Sequence, residues 1–326
     1  MPPSAPPSSA GYPRDLAGYG PRPPQPAWPG DARLAVSFVI NWEEGAEQSV
    51  LHGDDTSEVG VSDALGLAAV ADRQMTVESM FEYGSRAGVW RLADLFDRYR
   101  VPVTVFAAGQ AVERYPDPVR HLHAAGHEIC PHGWRWVDYQ HVPADVETDH
   151  IRRAVAAVEA VTGTRPLGWY TGRTSPRTRA LVVAEGGFLY DSDAYNDDLP
   201  YWTRVGDRDH LVVPYSFDSN DMRFATTPGF TRPDDFSAHL IDTFDQLYAE
   251  GETAPKMMSV GLHCRLAGRP ARTLALRRFV EHVLAHDAVW VARRVDIARH
   301  WAATHPPALP GTSTHRSSPG PAIGAA

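Results

Sequence analysis

Between Leu34 and Ala292 the chain repeatedly switches hydrophobic period: apolar runs of strand length alternate with longer segments whose apolar residues recur at helical spacing. A chain built that way lays its strands parallel and joins them by right-handed crossovers. Residues 34–40 read as a core strand. A helix over 88–100, with Val89, Leu92, Leu95 and Phe96 on one stripe, leads to a strand over 101–106. Helices are then predicted over 118–125, 144–162, 177–185, 234–250 and 271–286, and strands over 128–130, 167–170, 188–190, 211–215, 256–262 and 289–292. So many units in one body favour a closed α/β barrel over an open doubly wound sheet. Residues 46–73 are polar and irregular, and are expected to cross the active face.

The two ends contrast with this body. Residues 1–29 and 306–326 are rich in Pro, Ser and Gly and should pack no core, the first partly disordered and the second a disordered tail; a single catalytic barrel is expected over 30–305. A net charge of −9 and a pI near 5.9 disfavour a nucleic-acid surface. A small molecule is the expected partner. Cys130 and Cys264 are the only cysteines, so no disulfide framework exists and both read as reduced, cytoplasmic thiols. There is no apolar run of about 18 residues and no secretory leader pattern, which removes the membrane and argues against a cell-wall substrate. No phosphate-cradling glycine loop is present, so nucleotide cofactors are disfavoured.

Polar residues collect at the predicted C-terminal ends of the strands, where barrel enzymes build their sites. The first strand delivers Glu43, Glu44 and Gly45 immediately after an apolar run, and carboxylates beside a core stay ionised only with partners or in a wet cleft. His132 follows the short strand over 128–130, but the position one helical turn later is Trp136. His263 ends the late apolar strand.

These landmarks resemble the polysaccharide deacetylase superfamily, whose fold is a distorted (β/α)7-type barrel and whose metal site uses an Asp-Asp pair with H-x-x-x-H. Residues 41–45 (NWEEG) are similar to its T-F-D-D-G, 132–136 to its histidine motif, 164–170 to its R-x-P segment and 258–263 to its late strand ending in histidine. Glu44 and Trp136 depart from that pattern, and an indole N–H cannot ligate a cation. Catalytic zinc wants three protein ligands, so Glu44 and His132 alone would hold it weakly. The chain therefore resembles the metal-independent allantoinases of this superfamily, with further likeness in 82–91 (EYGSRAGVWR), 168–173 (GWYTGR), 190–193 (YDSD), 219–224 (SNDMRF) and 261–265 (GLHCR). The resemblance implies hydrolysis of the hydantoin ring of allantoin to allantoate, a homotetramer, and no metal or other cofactor.

Opening a cyclic amide needs an activated water, a place for charge developing on the carbonyl oxygen, and a proton for the departing nitrogen. Glu43 takes the place of the superfamily's general base, and a neighbouring carboxylate is expected to raise the pair's pKa. His132 is expected to hold the carbonyl oxygen and His263 to protonate the leaving nitrogen. Glu44 either orients His132 or bonds a buried backbone N–H. Arg173, Asn220 and Asp221 are candidates for reading the ureide edges, with Trp136 and Tyr170 as walls; Arg86 is the likeliest contact from the 82–91 segment, in its own or a neighbouring subunit. Two other functions are kept open: a metal-dependent deacetylase of polysaccharide or peptidoglycan, and an inactive barrel that binds a ureide.

Overall fold

Strand β1, Leu34–Trp42, is buried along its whole length, which a strand tolerates only with parallel neighbours and helices covering both faces. The computed structural model describes residues 14–307, so residues 1–13 and 308–326, where most of the expected disorder falls, lie outside the described residues. Residues 14–29 are tied to the body: the Tyr19 hydroxyl donates to the Pro200 carbonyl and the buried Trp28 indole to that of Lys256.

Along the chain follow α1 (Met75–Tyr83), α2 (Val89–Tyr99), β2 (Val103–Ala107), α3 (Gly109–Arg114), α4 (Asp117–Ala124), β3 (Glu128–Pro131) and α5 (Ala144–Thr162). The second half contains β4 (Gly168–Trp169), α6 (Thr178–Glu185), β5 (Tyr190–Asp191), β6 (Tyr201–Val205) and β7 (Arg208–Val212). It closes with α7 (Pro233–Glu250), β8 (Lys256–His263), α8 (Pro270–Leu284), β9 (Val289–Val291) and α9 (Arg294–Thr304). One sheet runs β3-β2-β1-β8 with β9 also on β1, and a second runs β4-β5-β7-β6. Isolated bridges, His132 to Tyr170 and Asn220 to Gly261, link the sheets on both sides into a distorted barrel. The register sets Asn41 beside His263 and Trp42 beside Ala107, aligning the ends of β1, β2 and β8.

The fold is the expected α/β barrel with two departures. β6 and β7 form an antiparallel hairpin, where only parallel strands were expected. The segment before α2 is also helical: α1 runs through a π-turn, Gly84–Gly88, into α2. Charge and glycine hid this helix from periodicity. The glycines serve approach: a Cβ on Gly84 would sit 2.1 Å from Glu44 Oε1, and one on Gly88 would sit 2.0 Å from the Cys264 carbonyl oxygen. The helix is thereby pressed onto the ends of β1 and β8, and π-turns of this kind are common at functional sites. No helix among the described residues is long and apolar enough to cross a membrane.

Candidate active site

The ends of β1, β3 and β8 bring Glu43, His132 and His263 together, each less than a tenth exposed. His132 Nε2 donates to Glu43 Oε1 at 3.1 Å. His263 Nδ1 donates to Asp221 Oδ1 at 2.6 Å, which turns its Nε2 toward Glu43 Oε1, 3.6 Å away. The other Asp221 oxygen accepts the backbone N–H groups of His263 (2.7 Å) and Ala267 (2.8 Å). Both Asp221 oxygens are thus taken within the protein, one by the His263 ring and the other by two backbone N–H groups, which places Asp221 directly behind His263.

One residue absent from the sequence-based candidates lies at the centre. Arg265, two positions past His263, is fully buried, with Nη1 2.8 Å from Glu43 Oε2 and 3.6 Å from Glu44 Oε1. Its guanidinium carbon lies 4.1 Å from the Phe81 ring and 4.9 Å from that of Trp136. Its Nε donates to the Val61 carbonyl at 2.7 Å. Val61 has φ 48°, strained for a β-branched residue, and such strain gathers where a backbone group must be aimed. Trp136 carries Arg173 as well, 3.9 Å from its ring, while Arg173 pairs with Glu58 at 2.9 Å. The signal that could have pointed to Arg265 was charge balance, since two adjacent carboxylates at a core strand's end require a buried cation.

The paired glutamates do not rise together, as expected of them, but split. Burial raises the Glu43 pKa, but Arg265, His263 and the His132 hydrogen bond together outweigh it and hold this carboxyl well below the usual range. Burial pushes Glu44 up to about 7, with Arg265 opposing and the Glu43 charge reinforcing. The rise expected of Glu43 therefore falls on Glu44, because Arg265 sits closer to Glu43. Glu44 Oε2 accepts the Glu43 backbone N–H at 3.1 Å, the backbone alternative and not the His132 one. Its Oε1 is buried with no hydrogen-bond partner among the described residues.

A stability test follows with a definite sign. Folded Glu44 binds its proton more tightly than the ordinary carboxyl near 4.5, so this group's stabilising contribution is complete below about 4.5 and is lost as pH rises through about 7. Glu44→Gln has nothing to ionise. Thermal melts from about pH 5 to about pH 8 should show the variant gaining on wild type by on the order of 3 kcal/mol, at about 1.4 kcal/mol per unit. A pH-independent gap would mean that Glu44 is ionised throughout.

The remaining candidates divide. Tyr170, expected as a wall, packs against His132 with ring centroids 4.7 Å apart and stacks on Phe106 at 4.3 Å. Beyond it, Asp193 accepts the Thr171 and Gly172 N–H groups, and Gly172, at φ 80°, leaves only 3.1 Å between a would-be Cβ and His132 Cε1. Asn220, expected as a substrate contact, has its side-chain oxygen capping the 3-10 turn Asp221–Ala225 and its amide on the Tyr215 hydroxyl. Arg86 is not brought to the cluster. Its side chain is 79% exposed and its one ion pair among the described residues is Glu82 at 3.9 Å, since the 82–91 segment meets the site through its glycines.

Comparison with known proteins places this geometry. A family model described as polysaccharide deacetylase matches residues 69–185. A Schizosaccharomyces pombe protein named "Putative polysaccharide deacetylase" is 44% identical over 314 residues, spanning 90% of this chain and 98% of that one. A Helicobacter pylori peptidoglycan deacetylase is 28% identical over 244 residues, spanning 64% of this chain and 82% of that one. The crystal structure of the allantoinase PuuE superposes with a TM-score of 0.90 at 56% identity, covering 91% of this chain and 99% of that one. That of a "probable Polysaccharide deacetylase" from Pseudomonas aeruginosa PAO1 gives 0.89 at 56% identity, covering 90% and 99%.

Proposed function

The chain belongs to the polysaccharide deacetylase family, and from that premise we propose that this hydrolase is an allantoinase, opening the hydantoin ring of allantoin to allantoate. The observation that carries the reading is the 56% identity, over nearly its whole length, to a structure named as an allantoinase. The names of the curated relatives favour deacetylation of a polysaccharide instead. A cyclic ureide offers a carbonyl to attack and a ring nitrogen to protonate, and the cluster has one group for each.

In this reading Glu43 is ionised at any working pH and takes a proton from water as the water oxygen bonds to the ring carbonyl carbon. A base held so acidic is weak. It strengthens when the substrate's carbonyl oxygen draws the His132 and Arg265 hydrogens away from it. The C–N bond then breaks while His263 Nε2 gives its proton to the leaving nitrogen. At 3.6 Å, Glu43 can return the captured proton to His263 and restore both groups. The donor is the imidazolium form, with a proton on each ring nitrogen, and Asp221, accepting from Nδ1, orients the ring and stabilises that charge. The wider proposal is a single catalytic barrel over 30–305, working in the cytoplasm on a small ureide as a homotetramer in which the exposed Arg86 is free to meet a neighbouring subunit.

The test uses the purified, chelator-treated protein with allantoin and, separately, with an acetylated chito-oligomer. Allantoate should form, with no acetate released from the sugar. Sugar deacetylation restored by zinc, without allantoate, would overturn the proposal and install the family's other activity.

A further inference from the structure

The family pattern would place a metal between a carboxylate at position 44, His132 and a second histidine at 136. The residues present do not fit that ion. Trp136 offers an aromatic face and an N–H donor, neither of them a ligand atom. More decisively, the residues at positions 44 and 136 lie against another side chain: the Arg265 guanidinium faces Glu43 Oε2, Glu44 Oε1, the Trp136 ring and the Phe81 ring at once. A divalent ion there would stand against a fixed positive charge inside a medium that screens poorly.

We propose that Arg265 is a built-in cation that fills the family's metal position, neutralising Glu43 and Glu44 and presenting its free N–H groups to the carbonyl oxygen of the substrate. Several observations converge on it. Nη2 of Arg265 is buried without a hydrogen-bond partner among the described residues, while Nη1 is held 2.8 Å from Glu43 Oε2. A buried guanidinium with spare donors is costly unless something completes it. A carbonyl oxygen is the complement, and donors aimed where negative charge develops give the largest gains in acyl transfer. The cage explains Trp136 as well. An imidazole would gain little from a guanidinium, whereas an indole face attracts it, by about 2 kcal/mol where both are desolvated. Glu44, Trp136 and Arg265 are thus one exchange, a metal ligand set traded for an organic cation and its aromatic support. The role in turnover rests on the allantoinase reading; the filling of the metal position does not.

Two measurements decide it. The first is zinc uptake by equilibrium dialysis of wild type, His132→Ala and the double variant Trp136→His/Arg265→Met. Asp245 on α7, His282 on α8 and His286 just past its end bring ligand atoms within 4.8 Å of one another, so zinc taken there is common to all three proteins and cancels. Wild type and His132→Ala should take up equal zinc, and the double variant should take up about one equivalent more, lost again when His132→Ala is added. Extra zinc in wild type over His132→Ala would overturn the proposal without any variant of Arg265 needing to fold, as would no gain in a folded double variant. The second measurement is allantoin turnover by Arg265→Ala, expected to fall roughly 10²-fold or more, with millimolar guanidinium restoring about 10-fold by entering the vacated cage. A merely structural arginine would give a loss that guanidinium leaves unchanged. Absence of allantoin turnover in wild type would sink the allantoinase reading while the zinc comparison still judges the cage.

Discussion

Replacing His263 by alanine, or Glu43 by glutamine, is expected to lower kcat on allantoin by roughly 10²-fold or more while the ligand still binds. Each change removes one proton-transfer group; His263→Ala leaves the Arg265 cage standing, and Glu43→Gln keeps an oxygen beside Arg265 while removing its counter-charge. The losses belong to one machine, so they should not add. Asp221→Asn should reproduce most of the His263→Ala loss in the wild-type background and almost none of it on top of His263→Ala, since its oxygens act only through the imidazole and the backbone beside it. Additive losses would mean that Asp221 has its own part in the chemistry. Near wild-type kcat in both Glu43→Gln and His263→Ala would mean that the roles are misassigned.

The largest stability effect outside the site is expected at Gly88. Its conformation is ordinary right-handed helix, so alanine there would by propensity alone gain about 1 kcal/mol. The contact reverses the sign: a Cβ would stand 2.0 Å from the Cys264 carbonyl oxygen and 2.8 Å from the Cys264 carbonyl carbon, backbone atoms that cannot rotate away. Overpacking of this kind costs about 3 kcal/mol or more. Gly88→Ala should therefore lower the unfolding free energy from urea titration by a net of at least about 2 kcal/mol, with a lower midpoint, and should disturb turnover in the fraction that stays folded, because Arg265 follows Cys264 directly. An unchanged midpoint would contradict the close packing of the π-turn on the loop after β8.

Much of the architecture was legible because it is periodic. The run from Leu34 into Glu43 marked both a core strand and its working end, and α5 begins and ends where apolar spacing places it. Elements escaped where local signals ran against the outcome. The helix through 82–88 carries two glycines and exposed charge and is held by packing rather than by an apolar stripe; the β6–β7 hairpin interrupts an otherwise parallel series.

The same division runs through the site. Chain order alone put Glu43, His132 and His263 at the C-terminal ends of strands, because side chains at corresponding strand ends must share one face of a barrel. It could not decide which arginine completes them. Arg86, Arg173 and Arg265 all stand in segments that resemble a functional family, yet only the folded chain sends Arg86 to solvent, lays Arg173 on the outer side of Trp136 and buries Arg265 against both glutamates. Nor could it give the opposed titration of two adjacent glutamates. Strand position is a local, repeating property written into hydrophobic spacing, whereas the charge state of a buried carboxylate depends on distances of a few ångströms to groups far away in the chain, and those distances exist only once the loop over 46–73 and the α1–α2 helix have closed over the barrel.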